Sequence, residues 1–175
     1  MNMIYRRIIK FIIILFFLNS CLLLLKSSED KIIIDVPFIK QRESYDCAVV
    51  ALMSLLKWKN INIGYNELKN AIYSERVKGV FPISIEIFLR KKDISYEVVE
   101  NQPNILEEFL KKRIPSIVFL EQGIWRLKAN HYYVVVGVKR DKLIMHDGSK
   151  PFREMDKETF MKRWSKSNYW LLWLK

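Results

Sequence analysis

Apolar positions change their spacing along this chain, and the change divides it into elements. An apolar run occupies residues 8–25 and is broken only at Lys10, Asn19 and Ser20. Ile32 to Ile39 is a β-rich stretch that ends near Pro37, and Lys40 to Tyr45 is polar. From Asp46 the spacing turns helical, with Ala48, Val49, Ala51, Leu52, Leu55 and Leu56 on one stripe and Asp46 suited to the N-cap. Further helices are expected over Asn62–Tyr73, from Pro82 to about Lys92, from Asn104 through Lys112, and over Met155–Trp164. Strands are expected at Ser95–Val99, Pro115–Leu120 and Tyr169–Leu174. His131–Val138 and Leu143–Asp147 flank a polar turn and form a β-hairpin, which brings His131 and Asp147 together to within about one residue of register. Helices come early and antiparallel strands late, so the fold class is α+β.

Charge and cysteines narrow the picture. The formal charge is +11, and removing Arg6, Arg7 and Lys10 with the first twenty residues leaves +8. The basic residues are scattered, with no block of five or six, so the reading excludes a nucleic-acid partner and keeps an attraction to anionic surfaces. The basic start, the apolar run and Leu18-Asn19-Ser20-Cys21 have the order of a secretory segment with a lipobox. Residues 1–26 are therefore a signal peptide lipidated at Cys21 or, as the alternative, an uncleaved signal anchor. Residues 27–31 are a tether, and 32–175 one domain facing outward from a membrane. Of the two cysteines, Cys21 lies in the targeting segment, which leaves Cys47 as the only thiol of the exported domain.

Cys47 in the first turn of a helix sits where unpaired N–H groups and the helix dipole favour a thiolate. Taken alone, it reads equally well as a small buried hydrophobe. A nucleophilic cysteine needs a base, and a third group to orient that base. The chain has two histidines. His146 precedes Asp147 and points to the opposite face of the same strand, so His131 is the base if Asp147 faces the site. Gln41, six residues before Cys47, supplies an amide donor. His131 and Asp147 each read alone more simply as structural; the ordered set of four points to a cysteine peptidase. Trp125, beside Gly123, is a candidate for the substrate groove. No phosphate loop, dinucleotide fingerprint or closed zinc set is present, and no cofactor or metal is expected.

Val36-Pro37-Phe38, Gln41, Asp46-Cys47 heading an apolar helix, His131 opening a valine-rich strand and Asp147 closing the next resemble the papain-like bacteriocin-processing peptidases. That resemblance implies a papain-like fold and cleavage of peptide precursors after a double-glycine leader. It implies Cys47 as nucleophile, His131 as base, Asp147 as orienting carboxylate and Gln41 as oxyanion donor. Two positions depart from the family's usual pattern: Ala48 stands where glycine is usual, and Gly148 where proline is usual. The expectation is a stand-alone, membrane-tethered relative that takes a peptide or protein substrate as a monomer. Two other readings remain open, a papain-like cell-wall peptide amidase and a catalytically inactive peptide-binding lipoprotein.

Overall fold

A computed structural model describes residues 31–124 and 127–175. Cys21 and Trp125 lie outside the described residues, as does the whole targeting segment. Helix α1 (Cys47–Trp58) is buried over most of its length, from Cys47 through Leu52 and again at Ser54, Leu55 and Leu56. Such a helix needs cover on several sides. It packs against strands β5 (Ser116–Ile124) and β6 (Leu127–Lys139) and against helix α2 (Tyr65–Ile72). The remaining helices are α3 (Pro82–Lys91), with Pro82 in its first turn, α4 (Ile105–Lys111) and α5 (Lys157–Trp164). Among the described residues, no helix is long and apolar enough to cross a membrane.

The sheet runs β4 (Tyr96–Val99), β9 (Leu171–Leu174), β5, β6, β7 (Lys142–His146), β8 (Arg153–Asp156), with these neighbours antiparallel. The last strand in sequence thus lies inside the sheet, its Leu171, Leu172 and Leu174 buried. Strand β1 (Lys31–Ile33) pairs with β6 outside this path. The contact is so close that a Cβ on Gly137 would lie 2.2 Å from the Ile32 carbonyl oxygen, so only glycine fits. A bulge interrupts the β6–β7 register between Val135 and Gly137, beside that crossing.

Most expected elements appear with edges moved by a few residues, and three expectations are corrected. The stretch expected as a strand to Ile39 is paired only as far as Ile33, and beyond it Ile34 N–H donates to the Val136 carbonyl at 2.7 Å. The helix expected from Met155 begins at Lys157, because Arg153–Asp156 pairs with β7 and places Met155 opposite Leu143. Two-residue strands β2 (Tyr73–Ser74) and β3 (Gly79–Val80) form a small hairpin between α2 and α3, beyond the reach of period counting. His131 is the fifth residue of β6 rather than its first, because the strand extends back to Leu127 in its pairing with β5.

Candidate active site

The α+β order brings the N-terminus of α1 against the middle of β6, and Cys47 meets His131 there. Cys47 as a whole is 9% exposed. Burial opposes its ionisation, but a hydrogen bond and charge from His131, with the main-chain N–H groups of Tyr132 and Ala48, outweigh it and hold the thiol below its ordinary value. His131 shows the matching effect: burial lowers it, while Cys47 and the Asp147 carbonyl and charge raise it to a net increase. Two groups that each favour the other's charged form are suited to a thiolate–imidazolium pair. The His131 ring also packs edge-on to Tyr133, centroids 4.7 Å apart, and the Tyr133 hydroxyl accepts a hydrogen bond from Gln122.

Asp147 stands beside His131, as the hairpin register required, but its carboxylate is turned elsewhere. His131 Nε2 lies 2.7 Å from the Asp147 main-chain carbonyl oxygen. A carbonyl only accepts, so Nε2 carries the proton and Nδ1 is left for Cys47. The carboxylate Oδ1 accepts from Ser149 N–H and Oγ–H at 2.8 Å each and from Lys150 N–H at 2.6 Å. Oδ2 accepts from Arg153 at 2.7 Å. Burial works against the charge, yet these donors hold the Asp147 carboxyl at about 2. The expected orienting carboxylate is therefore replaced at the imidazole by the same residue's main chain.

Gln41 N–H donates to the Gly148 carbonyl at 2.8 Å, which ties the loop before α1 to the turn after β7. Its amide Nε2 donates to the Glu43 carbonyl at 3.0 Å, and its buried Oε1 has no hydrogen-bond partner. From this loop Ser44 and Tyr45 line the cavity that holds Cys47, and Gln41 does not. The amide expected at the oxyanion position is folded back on its own loop. Asp46 precedes α1 but makes no side-chain cap bond. Its Oδ2 instead accepts from Arg42 N–H at 2.9 Å and the Tyr65 hydroxyl at 2.7 Å, which fixes the loop to α2. Asn104, at the N-cap of α4, also makes no side-chain cap bond.

His146 is on the opposite side, buried between the rings of Phe38 and Phe152. Its Nε2 lies 3.0 Å from the Val36 carbonyl and its Nδ1 accepts from Phe152 N–H at 3.3 Å. Both bonds together are possible only for the neutral ring protonated at Nε2. Burial first of all lowers its pKa.

The cavity at Cys47 and His131 measures about 550 Å³ and is bordered by Tyr45, Phe119, Tyr132 and the β2–β3 hairpin. Tyr132 is a site residue that the sequence reading missed. Its N–H faces the thiol, and its hydroxyl donates to the Val80 carbonyl at 2.9 Å, pinning the hairpin to the cleft floor. Its position next to His131 was the available signal, but a tyrosine in a run of valines reads first as core.

The peptidase C39 family model matches residues 35–173. The sublancin-168-processing and transport ATP-binding protein SunT of Bacillus subtilis is 28% identical over 123 residues, which span 69% of this chain and 17% of that protein. The chain thus covers well under a fifth of that curated relative. Among solved structures, the peptidase domain of Streptococcus ComA matches with a TM-score of 0.66 at 23% identity, covering 80% of this chain and 98% of that one. A double glycine motif protease from an AMS/PCAT transporter, solved with its leader peptide, matches with a TM-score of 0.63 at 19% identity, covering 82% and 93%. These likenesses carry the papain-like fold, and the family model, which spans most of the chain, carries the kinship: this chain belongs to the peptidase C39 family of cysteine peptidases.

Proposed function

We propose that Cys47 and His131 cleave peptide bonds through an acyl-enzyme. The observation that carries this reading is the thiol at the start of α1, hydrogen-bonded to His131 inside an open cavity. The Cys47 thiolate attacks the scissile carbonyl carbon, and the C–N bond breaks as the His131 imidazolium gives its proton to the leaving amine. Water, deprotonated by His131, then cleaves the thioester and releases the carboxylate product with the thiol restored. The oxyanion is met by the Cys47 N–H and by the Gln41 amide once it turns from Glu43. Asp147 serves the base from behind.

The specificity we assign is for a Gly-Gly-like junction. Two things support it: the fold shared with a double glycine motif protease, and the aromatic side chains of Tyr45, Phe119 and Tyr132, which restrict what a substrate can bring beside the sulfur. The test is incubation with peptides carrying Gly-Gly, Gly-Ala or Leu-Leu at one position, with product masses and a Cys47→Ala control. Cleavage after Gly-Gly that disappears in the control supports the proposal; equal cleavage of all three removes the specificity, and cleavage by Cys47→Ala removes the mechanism.

Residues 1–26 tether the domain to the outer face of a membrane, through lipid on Cys21 or by spanning it as an anchor. The support is the sequence order of charge, apolar run and Ser20-Cys21. Lipidation predicts that Cys21→Ala abolishes palmitate incorporation and maturation, whereas an anchor stays full-length and membrane-bound. Recovery of the native protein soluble in the cytoplasm would contradict both.

A further inference from the structure

Arg153 projects from β8 with its side chain 56% exposed, and its guanidinium lies 2.7 Å from the 3%-exposed carboxylate of Asp147. With three further donors on Oδ1, the carboxylate's hydrogen bonds all come from the turn and Arg153 and none from the imidazole. The backbone supports this arrangement. Gly148 has φ +79°, a value closed to proline, whose ring fixes φ near about −65°. A Cβ at this position would also lie 2.5 Å from Gln41 Oε1. Gln41 N–H holds the Gly148 carbonyl, and the Ser149 and Lys150 N–H groups close an Asx turn on Asp147. The peptide group between Asp147 and Gly148 is therefore fixed with its carbonyl oxygen on His131 Nε2.

We infer that Arg153 is a positioning residue for His131: it holds the Asp147 carboxylate in the turn, so that the Asp147 carbonyl, and not the carboxylate, fixes the imidazole in its Nε2–H form. The inference rests on the Cys47–His131 reading above and adds to it a residue whose role neither motif nor spacing suggests. Arg153 hydrogen-bonds Asp147, acts by charge on Tyr133 beside the imidazole, and touches no reacting atom. It also explains how glycine works at 148: the residue is what lets the turn present its carbonyl. The charged and titratable groups around the imidazole are Cys47 from α1, Tyr133 from β6, and Asp147 with Arg153 behind it. Arg163 of α5 acts on the same Tyr133.

The full-length protein and its variants test this by two readings. The first is the rate of iodoacetamide addition to Cys47, followed on its own peptide by mass spectrometry so that Cys21 does not interfere. The second is the imidazole NMR spectrum, simple because the chain has two histidines. Arg153→Ala should slow addition about tenfold, the size of one lost charge-assisted hydrogen bond at a partly exposed site. It should also move the His131 titration upward, because the Asp147 charge loses its counter-charge. Arg153→Lys should restore most of the rate. Asp147→Asn should slow addition by a similar factor, move the titration downward and keep the Nε2–H tautomer, since an Asn oxygen still closes the turn. The double variant should be no slower than the slower single one. An Arg153→Ala protein indistinguishable from the native one in both readings overturns the inference. So does loss of the tautomer in Asp147→Asn with a drop of order 10⁴, the size seen where a carboxylate orients the base directly. Failure of the underlying reading looks different: the native thiol itself reacts no faster than free cysteine.

Discussion

Asp46 has no solvent exposure, and of its two carboxylate oxygens only Oδ2 is hydrogen-bonded. Tyr65 supplies one of those bonds and also stacks under the Arg42 guanidinium, 4.0 Å from its ring centre. Burial first, and then Asp46, pushes the Tyr65 hydroxyl up to about 12. Tyr65→Phe therefore leaves the buried Asp46 side chain with one hydrogen-bond partner, and should lower unfolding free energy by about 1–3 kcal/mol. A denaturant midpoint equal to the native one would contradict this. The two histidines act on pH stability with opposite signs. His146 is depressed when folded, so its contribution is present above the unfolded value near about 6.5 and is lost as pH falls below it. His131 is raised when folded, so its contribution is complete below about 6.5 and is lost as pH rises through its folded value. Melting temperatures from pH 5 to 8 should show a steeper acid loss in His131→Ala and a gain toward acid in His146→Gln. Parallel curves for the native protein and both variants would refute the assignment. At this scale Cys47 and His131 were legible in the sequence because a thiol at a helix start and a histidine in a strand are placed by periodicity. The direction in which Asp147 and Gln41 turn was not, because it depends on turn dihedrals and on Arg153, contacts that no residue spacing records.

Tyr132 links two elements. Its hydroxyl holds Val80 of β3, and its ring lies 4.5 Å from that of Phe119 on β5. The β2–β3 hairpin has only two paired residues on each side, too little to stand alone. Tyr132→Phe should therefore quicken amide exchange in residues 73–80 while β5 and β6 keep their protection. Unchanged exchange there would show that the hairpin is held by other contacts, such as the Tyr45–Tyr73 stack. The long helices and the β6–β7 hairpin were readable because their periods run over several turns or alternations. Met155 and Asp156, the end of β8, were mistaken for the start of α5 because a strand of four residues carries no decisive period, and pairing with β7 decided their state.

At the scale of the molecule, the chain order explains why the site forms only when the fold is complete. Cys47 comes from the first helix, His131 from β6, and the carbonyl behind it from the turn after β7, while the closing strand β9 sits between β4 and β5. Long sequence separations are bridged by one sheet, so the thiol is activated by tertiary structure and not by its own helix alone. The α+β class was legible from helices first and strands later, and its papain-like form was implied by the resemblance, while the insertion of the last strand into the sheet's interior was not legible, since no local pattern specifies a strand's neighbours. The central claim is that His131 lowers the Cys47 thiol below its ordinary value and so favours the thiolate. It is tested most directly by the pH dependence of iodoacetamide addition to Cys47 in the native protein and in His131→Ala. Because the folded thiol lies below its ordinary value, the native rate should remain well above that of free cysteine as pH is lowered from 8 to 6. His131→Ala should lose that excess and follow an ordinary thiol. Identical profiles for the two proteins, or a native profile matching free cysteine, would contradict the account.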